Sequence, residues 1–586
     1  MGYVPNIHIS LLYIKIRCTL YSVDISGHFL RQIPDSPDYV DRLNQELSWL
    51  SGTKAASYIL TVAYVCRNLQ DIPYIIRGSA GSSLVVYLLG ISDIDPVQYN
   101  IAPERFFHPR RTSLPDIDLD FPDNLRDQVF DRIFKLFPGR VARISNHVQY
   151  SDKGAIRQAI RHLGYRKHIP EHFILSDLVP GRESDAIEIA SDLENTIRDV
   201  SLHCGGLVIF DSEIPDNLRT EHDNQIRLDK LETESSGYMK LDILSNISLT
   251  QLNSIDSRHP DSYPEFDEIT SRLLSSGRSL GITQCESPAF QKLLRAIRPE
   301  QRRDIILCMA LIRPASAWRA HRKEFLNDFK EKRSTDLMVY EDDATRVISR
   351  LTGLPGPESD EIRRAFIKQN YELTKPLRDK LETTEEGKSL IQDIEAFRTF
   401  SMCKSHSVSY GLVSWALAYH KAHNPRAFWK AALNHAKSMW RNWVHVEEAK
   451  LAGWNIVAGK RPFKSDETTL FVENTTCSLF EPDPRHELKK YGMWSNNEFF
   501  PECGRSDDEE KCSFIGLIGT HRMIKGKDGK AVTFATVGTS RGNFLDVVID
   551  GAVELKNYHL IEGLGELYLK NGSESAKLTS YKLRRL

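Results

Sequence analysis

The chain has 586 residues, 41% hydrophobic and 27% charged, a balance that suits a soluble globular protein of several domains and excludes a disordered or fibrous one. A formal net charge of −2 excludes a globally basic surface, so any nucleic-acid contact must come from local patches. Nine cysteines without a C-x-x-C pair read as reduced thiols and argue against a zinc site, and no apolar run reaches bilayer length, so the expectation is a cytoplasmic protein with no membrane partner.

In chain order, residues 1–38 carry an alternating apolar stretch, Ile7 to Val23, that reads as strand and has no legible role. Tyr39 to Leu69 repeats Leu43, Leu47, Leu50, Ile59, Val62 and Val65 at helical spacing. Next comes Arg77-Gly78-Ser79-Ala80-Gly81-Ser82-Ser83, a loop whose bare backbone amides suit phosphate oxygens, with Arg77 adding charge. In Pro115-Asp116-Ile117-Asp118-Leu119-Asp120-Phe121 three carboxylates alternate with apolar residues, so a strand would put every acid on one face. Such a row repels itself unless a divalent cation sits against it, and hard oxygen ligands suit magnesium. Taken alone, the strand reads equally as a solvated face or a calcium loop. Phosphate cradle and acidic strand together point to metal-assisted phosphoryl or nucleotidyl transfer.

Arg126 to Phe137 predicts an amphipathic helix with Val129, Ile133 and Leu136 inward, and Ser151 to Gly164 a second one. Lys153, Arg157 and Arg161 share a face of the latter, either gripping duplex phosphates or simply solvated. Tyr238 to Leu244 alternates so that Lys240 and Asp242 share a face, which by itself is an ordinary ion pair on a strand. Lys460 to Cys512 offers short strand-like pieces and the acidic linker SDDEEK. Five strand-like runs with polar turns over 513–586 suggest an OB-fold barrel, with Lys525, Lys527 and Lys530 in its first turn as phosphate contacts or as a solvated tip.

The stretches RGSAGSSLVVYLLGISDIDPVQYN and ERFFHPRRTSLPDIDLDF resemble the palm of the C-family DNA polymerases, the bacterial replicative DNA polymerase III alpha subunits. FSMCKSHSVSYGLVSWALAYHKAHNPRAFWKAALN, residues 400–434, resembles that family's fingers. The resemblance implies an α/β multidomain protein with a nucleotidyltransferase-like palm, mostly helical thumb and fingers, and the C-terminal OB-fold. It divides the chain into an N-terminal segment (1–38), palm (39–150 and 201–260), thumb (151–200), fingers (261–459), a shortened linker (460–512) and the OB-fold (513–586).

The same resemblance implies a DNA-templated DNA polymerase in which Asp118, Asp120 and Asp242 hold two Mg2+ ions, Lys240 is a catalytic cation, and Asp116 is the outer acid of the row. Arg77, Gly78, Ser79, Arg363, Arg364, Lys404 and His406 would touch the incoming dNTP, with Ser405 and Tyr410 beside them, and His203 in LHCGGLVI would be structural or a substrate-strand contact. Primer-template DNA is the implied partner, with a sliding clamp and a separate proofreading subunit as further ones. The rival readings are an inactive DNA-binding homologue and a translesion polymerase of the same family. Departures from the family pattern are a missing N-terminal PHP domain, read as a shortened form, Ala315 in place of a motif glycine, and no helix-hairpin-helix segments. Only Leu470-Phe471 offers a clamp-peptide candidate, and a hairpin explains it as well.

Overall fold

The computed structural model describes residues 25–111, 114–170, 173–222, 224–313, 338–398, 401–435, 438–451, 457–458, 476–477, 511–525, 530–538, 544–556, 560–570 and 573–584. The strand-like run 7–23, Ala315, Leu470-Phe471, residues 506–510 of the acidic linker and Lys527 lie outside the described residues.

A five-stranded mixed sheet is built from β1 (Ile75–Arg77), β2 (Ile117–Pro122), β3 (Val141–Gln149), β4 (Ile197–Ile209) and β5 (Met239–Asn246), in the order β1-β2-β5-β4-β3. Only β2 and β5 run parallel; the other neighbours are antiparallel. Period-two patterning decides which face is dry. Ile117, Leu119 and Phe121 of β2 and Leu241 and Ile243 of β5 enter one core with α1 (Pro37–Leu50), α2 (Lys54–Arg67), α3 (Leu84–Leu88) and α4 (Arg126–Leu136). The interleaved Asp118, Asp120, Lys240 and Asp242 are thereby turned to the opposite face.

The helical stretch expected over 39–69 is divided at Gly52, whose φ of +72° is a left-handed turn that a side chain would strain. From α2, the buried Tyr58 hydroxyl donates to the Lys240 carbonyl (2.6 Å) and accepts from the Ile117 amide (3.2 Å), tying the starts of β2 and β5 together. Gly205 and Gly206 let β4 pass close to its neighbours. A Cβ on the first would lie 2.6 Å from the Ile243 carbonyl oxygen, and one on the second 2.5 Å from Ile144. His203 serves this bulge, its Nδ1 accepting from the amides of Gly206 (2.7 Å) and Gly205 (3.3 Å), which is the structural alternative anticipated for it.

Between β3 and β4 the chain leaves the sheet for α5 (Asp152–His162), α6 (Leu175–Leu178) and α7 (Glu183–Leu193), which have their own small core of Ala159, Ile160, Ile169, Val179 and Ala186. α8 (Lys230–Ser235) precedes β5 and α9 (Ile247–Asn253) follows it. A second core gathers α10 (Glu268–Ser275), α11 (Pro288–Ile297), α12 (Arg302–Leu311) and the long α17 (Lys404–His423), with α18 (Pro425–His435) and α19 (Asn442–Leu451). A third is made by α13 (Glu341–Thr352), α14 (Gly356–Ile367), α15 (Tyr371–Leu381) and α16 (Glu385–Ala396). α17 is buried on nearly all sides and crosses α12 at Gly411, where a Cβ would come within 2.5 Å of Ile306.

After a two-residue parallel pair, β6 (Val457–Ala458) with β7 (Thr476–Cys477), come β8 (Lys511–Lys525), β9 (Ala531–Gly538), β10 (Phe544–Asp550), β11 (Leu560–Lys570) and β12 (Ser573–Arg584). They close into a barrel ordered β10-β12-β11-β8-β9 around Ile518, Val537, Val547 and Ile561. The expectation of five C-terminal strands corresponds to these. The barrel meets the helices where the Arg441 amide donates to Gly519 O (2.8 Å) and the Thr520 hydroxyl to Met439 O (3.0 Å). No helix among the described residues is long and apolar enough to cross a membrane.

Tyr58→Phe strands the buried Ile117 amide and Lys240 carbonyl while leaving every charged group in place. Urea unfolding should show it less stable than the parent by about 1–3 kcal/mol; equal stability would mean the clamp between the two strands does not matter.

Candidate active site

Parallel pairing of β2 with β5 puts Asp118 directly opposite Asp242 and Asp120 opposite Leu244. Two carboxylates so placed, mostly withdrawn from water, cannot both ionise cheaply. Burial, and after it the Asp242 charge, push the Asp118 carboxyl up to about 7. Lys240 offsets part of this: its Nζ lies 2.7 Å from Asp242 Oδ2 and 4.0 Å from Asp116 Oδ1. The other Asp242 oxygen, Oδ1, is buried and meets no hydrogen-bond donor among the described residues. Asp116 stands just before β2 with its side chain 55% exposed, and its charge also raises the Asp118 pKa. The acids that share a field are thus Asp116, Asp118 and Asp242, with Lys240 between the first and the last.

Asp120 is placed differently from the expectation. It is 0% exposed, its Oδ1 lies 2.9 Å from Arg77 Nε, and its Oδ2 accepts from Arg77 (3.0 Å), Asn246 Nδ2 (2.8 Å) and the Tyr410 hydroxyl (2.9 Å). One guanidinium and two neutral donors converge on Oδ2, while Oδ1 faces Arg77 Nε as an ion pair without a hydrogen bond. Arg77 is spoken for by the same contacts and donates to the Tyr410 oxygen (2.5 Å) as well, so it braces the floor of the site rather than reaching into solvent.

The glycine loop forms a short turn over Gly78–Ser82, with Gly78 at φ +75°. A Cβ at Gly78 would stand 3.6 Å from Asp118 Oδ2, so this glycine keeps the backbone close to the acids. The amides that open α3, just after the loop, are not open to phosphate. Buried Glu46 accepts from Leu84 N (2.9 Å), Val85 N (3.2 Å) and the Ser83 hydroxyl (2.6 Å) while paired with Arg42 (2.6 Å). α17 is pinned onto the loop by Ser405 Oγ donating to Gly78 O (2.6 Å) and Ser409 Oγ donating to Ile76 O (2.6 Å). Ser79 stays partly accessible.

Of the other residues singled out from sequence, His406 packs edge-on against Tyr410 with ring centroids 4.5 Å apart. Burial, then the charges of Arg77 and Arg313, push it down to about 3, so it is neutral at physiological pH. Lys404 donates to Asn100 O (3.1 Å) beside the Tyr340 ring, and the structure records no contact between it and the acids. Arg363 is a correction: it is buried, held by Asp360 at 2.8 Å with Glu341 at 3.8 Å, and cannot present its guanidinium to a phosphate. Glu361 pairs with Arg110 (2.6 Å) rather than with either arginine of its own helix. Arg364, on another face of α14, lies in the field of Arg111. Burial first, then Arg364 and Arg105, lower the Arg111 pKa to about 10, while Asp360 and then Asp116 pull it the other way. Arg111 was not picked out from the sequence. Its place five residues before Asp116 was the available signal, but a single arginine among three in ERFFHPRR carries no pattern of its own. On α5, Arg157 and Arg161 each donate to a nearby carbonyl, Pro170 O (2.8 Å) and Tyr165 O (3.2 Å), and Lys153 is exposed.

Comparison with known proteins gives two family matches. One, described as the bacterial DNA polymerase III alpha NTPase domain, covers residues 25–245; the other, the bacterial DNA polymerase III alpha subunit finger domain, covers residues 240–388. Among curated proteins, the chain is 28% identical to a DNA polymerase III subunit alpha of Aquifex aeolicus over 73% of this chain and 44% of the relative. It is 28% identical to one of Thermotoga maritima over 72% of this chain and 50% of the relative, and 29% identical to one of Bacillus subtilis over 70% and 42%. The chain therefore spans about half, or less, of the length of these relatives.

Asp118 makes the metal-free protein pH-sensitive in a defined sense. Between the ordinary carboxylate value of 3.8 and about 7, the folded state keeps a proton that the unfolded chain releases, so this group's contribution lowers stability as pH rises through that window. In a chelator, denaturant titrations from pH 4 to 8 should show this fall in the parent and lose it in Asp118→Asn, which should be the more stable protein above pH 7. An unchanged profile in the variant would show that the two carboxylates do not crowd each other.

Proposed function

The chain belongs to the bacterial DNA polymerase III alpha family, and on that premise we propose that it is a DNA-templated DNA polymerase, joining a nucleotide from a dNTP to a primer 3′-hydroxyl. The observation that carries this reading is the register of β2 on β5, which sets Asp118 against Asp242 with a buried, donorless Asp242 oxygen. An orphaned anionic oxygen beside a crowded carboxylate is the donor set a hard divalent cation satisfies, so the residues fit Mg2+. We assign the cation ligands to Asp118 and Asp242 with Asp116 as the third acid, in place of the sealed Asp120. Two magnesium ions bound there would supply activation of the 3′-hydroxyl and neutralisation of the triphosphate.

Within this reading, the chain's own groups have separate tasks. Lys240 pairs with Asp242 and offers a fixed positive charge where negative charge grows on the transferred phosphorus. Arg111, in the field of the like-charged Arg364 and of Asp116, would be relieved by an anionic ligand, and we assign it and Arg364 to the triphosphate. Gly78 and Ser79 bring bare backbone to the same side. Arg77, Asn246 and Tyr410 keep Asp120 neutralised and lock α17 to the sheet. The sheet then serves as the palm, α5–α7 as the thumb, the helices from α10 to α19 as the fingers, and the closed barrel, whose order has one parallel pair (β10 with β12), as an OB-fold beside single-stranded template.

Primer extension by the full chain with Mg2+ tests the proposal. Asp118→Asn and Asp242→Asn should each lower the rate by about 10³-fold or more with the fold retained, and a parent that incorporates no nucleotide sinks the polymerase reading in favour of an inactive DNA-binding homologue. Asp116→Asn and Asp120→Asn separate the two ligand assignments. The first should raise the Mg2+ concentration needed for half-maximal rate, whereas the second, by leaving Arg77 without its buried partner, should cost about 3–5 kcal/mol of stability.

A further inference from the structure

At the far edge of the sheet, two strands away from β5, three side chains point their lone pairs at one another. His147 on β3, Asp229 just before α8 and Glu232 within α8 have ligand atoms all within 4.8 Å of one another. His147 Nδ1 is 3.7 Å from Asp229 Oδ2 and 3.8 Å from Glu232 Oε2. The other ring nitrogen, Nε2, lies 2.9 Å from the Arg227 carbonyl oxygen. A carbonyl only accepts, so Nε2 carries the hydrogen, and Nδ1 of the neutral ring is a bare lone pair aimed at two carboxylates. A proton on Nδ1 would make the ring a cation paired with both carboxylates at 3.7 and 3.8 Å, so proton and metal compete for the same three atoms.

Both carboxylates are also held in place from outside the cluster's centre. Asp229 Oδ1 accepts from Glu232 N (2.8 Å), which leaves its Oδ2 for the histidine, and Glu232 Oε2 accepts from Asp229 N (2.9 Å) with one lone pair, keeping another. The ring itself is oriented by a backbone carbonyl, the arrangement that prepares a metal-ligating histidine. We propose that His147, Asp229 and Glu232 form a second divalent-metal site, separate from the polymerase acids and selective for a borderline ion such as Zn2+ over Mg2+ because one ligand is imidazole. Two carboxylates neutralise the ion. A tetrahedral zinc site wants ligand atoms about 3.3–3.5 Å apart, so the three, which lie within 4.8 Å of one another, would close on the ion by side-chain rotation. Glu232, whose side chain is 52% exposed, leaves room for water in the remaining position. The ion would clip α8, and β5 behind it, to the edge strand from which α5–α7 are inserted.

The test is competition titration of Zn2+ against a chromophoric chelator, using the full chain with Asp118→Asn and Asp242→Asn already in place so that the polymerase acids do not compete. One ion should bind, and His147→Gln and Glu232→Gln should each weaken that ion at least tenfold. Glu232→Gln keeps an oxygen for the Asp229 amide, so it reports on the site even if His147→Gln fails to fold by circular dichroism. Co2+ in the same protein should give a visible absorption band that Glu232→Gln removes. Unchanged stoichiometry and affinity in the folded variants, or no uptake by the parent, overturns the site.

Discussion

Everything at the centre of this protein follows from one pairing, that of β2 with β5 in parallel and in a register that sets Asp118 against Asp242. Parallel neighbours need a long connection, and here more than a hundred residues of chain, including β3, β4 and α5–α8, lie between the two strands. The like charges repel, so the register is held by something other than the acids. Leu119, Phe121, Leu241 and Ile243 bury on the opposite face, and a slip of one residue would drive the carboxylates into that core. Hydrophobic burial on one side therefore enforces electrostatic crowding on the other.

The crowding is divided between two local solutions. Toward the start of the strands Lys240 leans over Asp242 and Asp116, leaving a negative, partly open cluster with one orphaned oxygen. Toward the end, Arg77, Asn246 and Tyr410 close over Asp120. Two aspartates only two residues apart, on the same face of the same strand, thus meet different surroundings, one a second carboxylate and the other a guanidinium and two neutral donors. What distinguishes them is α17, because Tyr410 covers Asp120 and does not cover Asp118. Through Ser405, Ser409 and Tyr410 the same helix fastens the glycine loop, so the loop's geometry and the acid row's burial depend on one element.

The arginines show the same partition. Arg363 and Arg364 are neighbours in sequence, yet one is locked to Asp360 inside the α13–α16 bundle and the other lies in the field of Arg111. Glu46, unremarkable in a helix of mixed composition, caps the first turn of α3 directly after the glycine loop. In each case a charged side chain's role is set by which oppositely charged group the fold delivers to it.

Alternation and periodicity are local properties, and residues one to four positions apart are enough to express them. The sequence alone therefore determined the acidic strand, the Lys240–Asp242 strand, the amphipathic α4 and α5, the five C-terminal strands and, through long stretches resembling known polymerase segments, the family. The approach of Asp242 to Asp118 was expected from the resemblance, whereas the surroundings of the other charges were not legible, because they depend on contacts between residues hundreds of positions apart: Tyr410 with Asp120 and Ser405 with Gly78. Three evenly spaced aspartates look alike along a chain. Only packing, by drying one and leaving another beside a lysine and open space, makes them different.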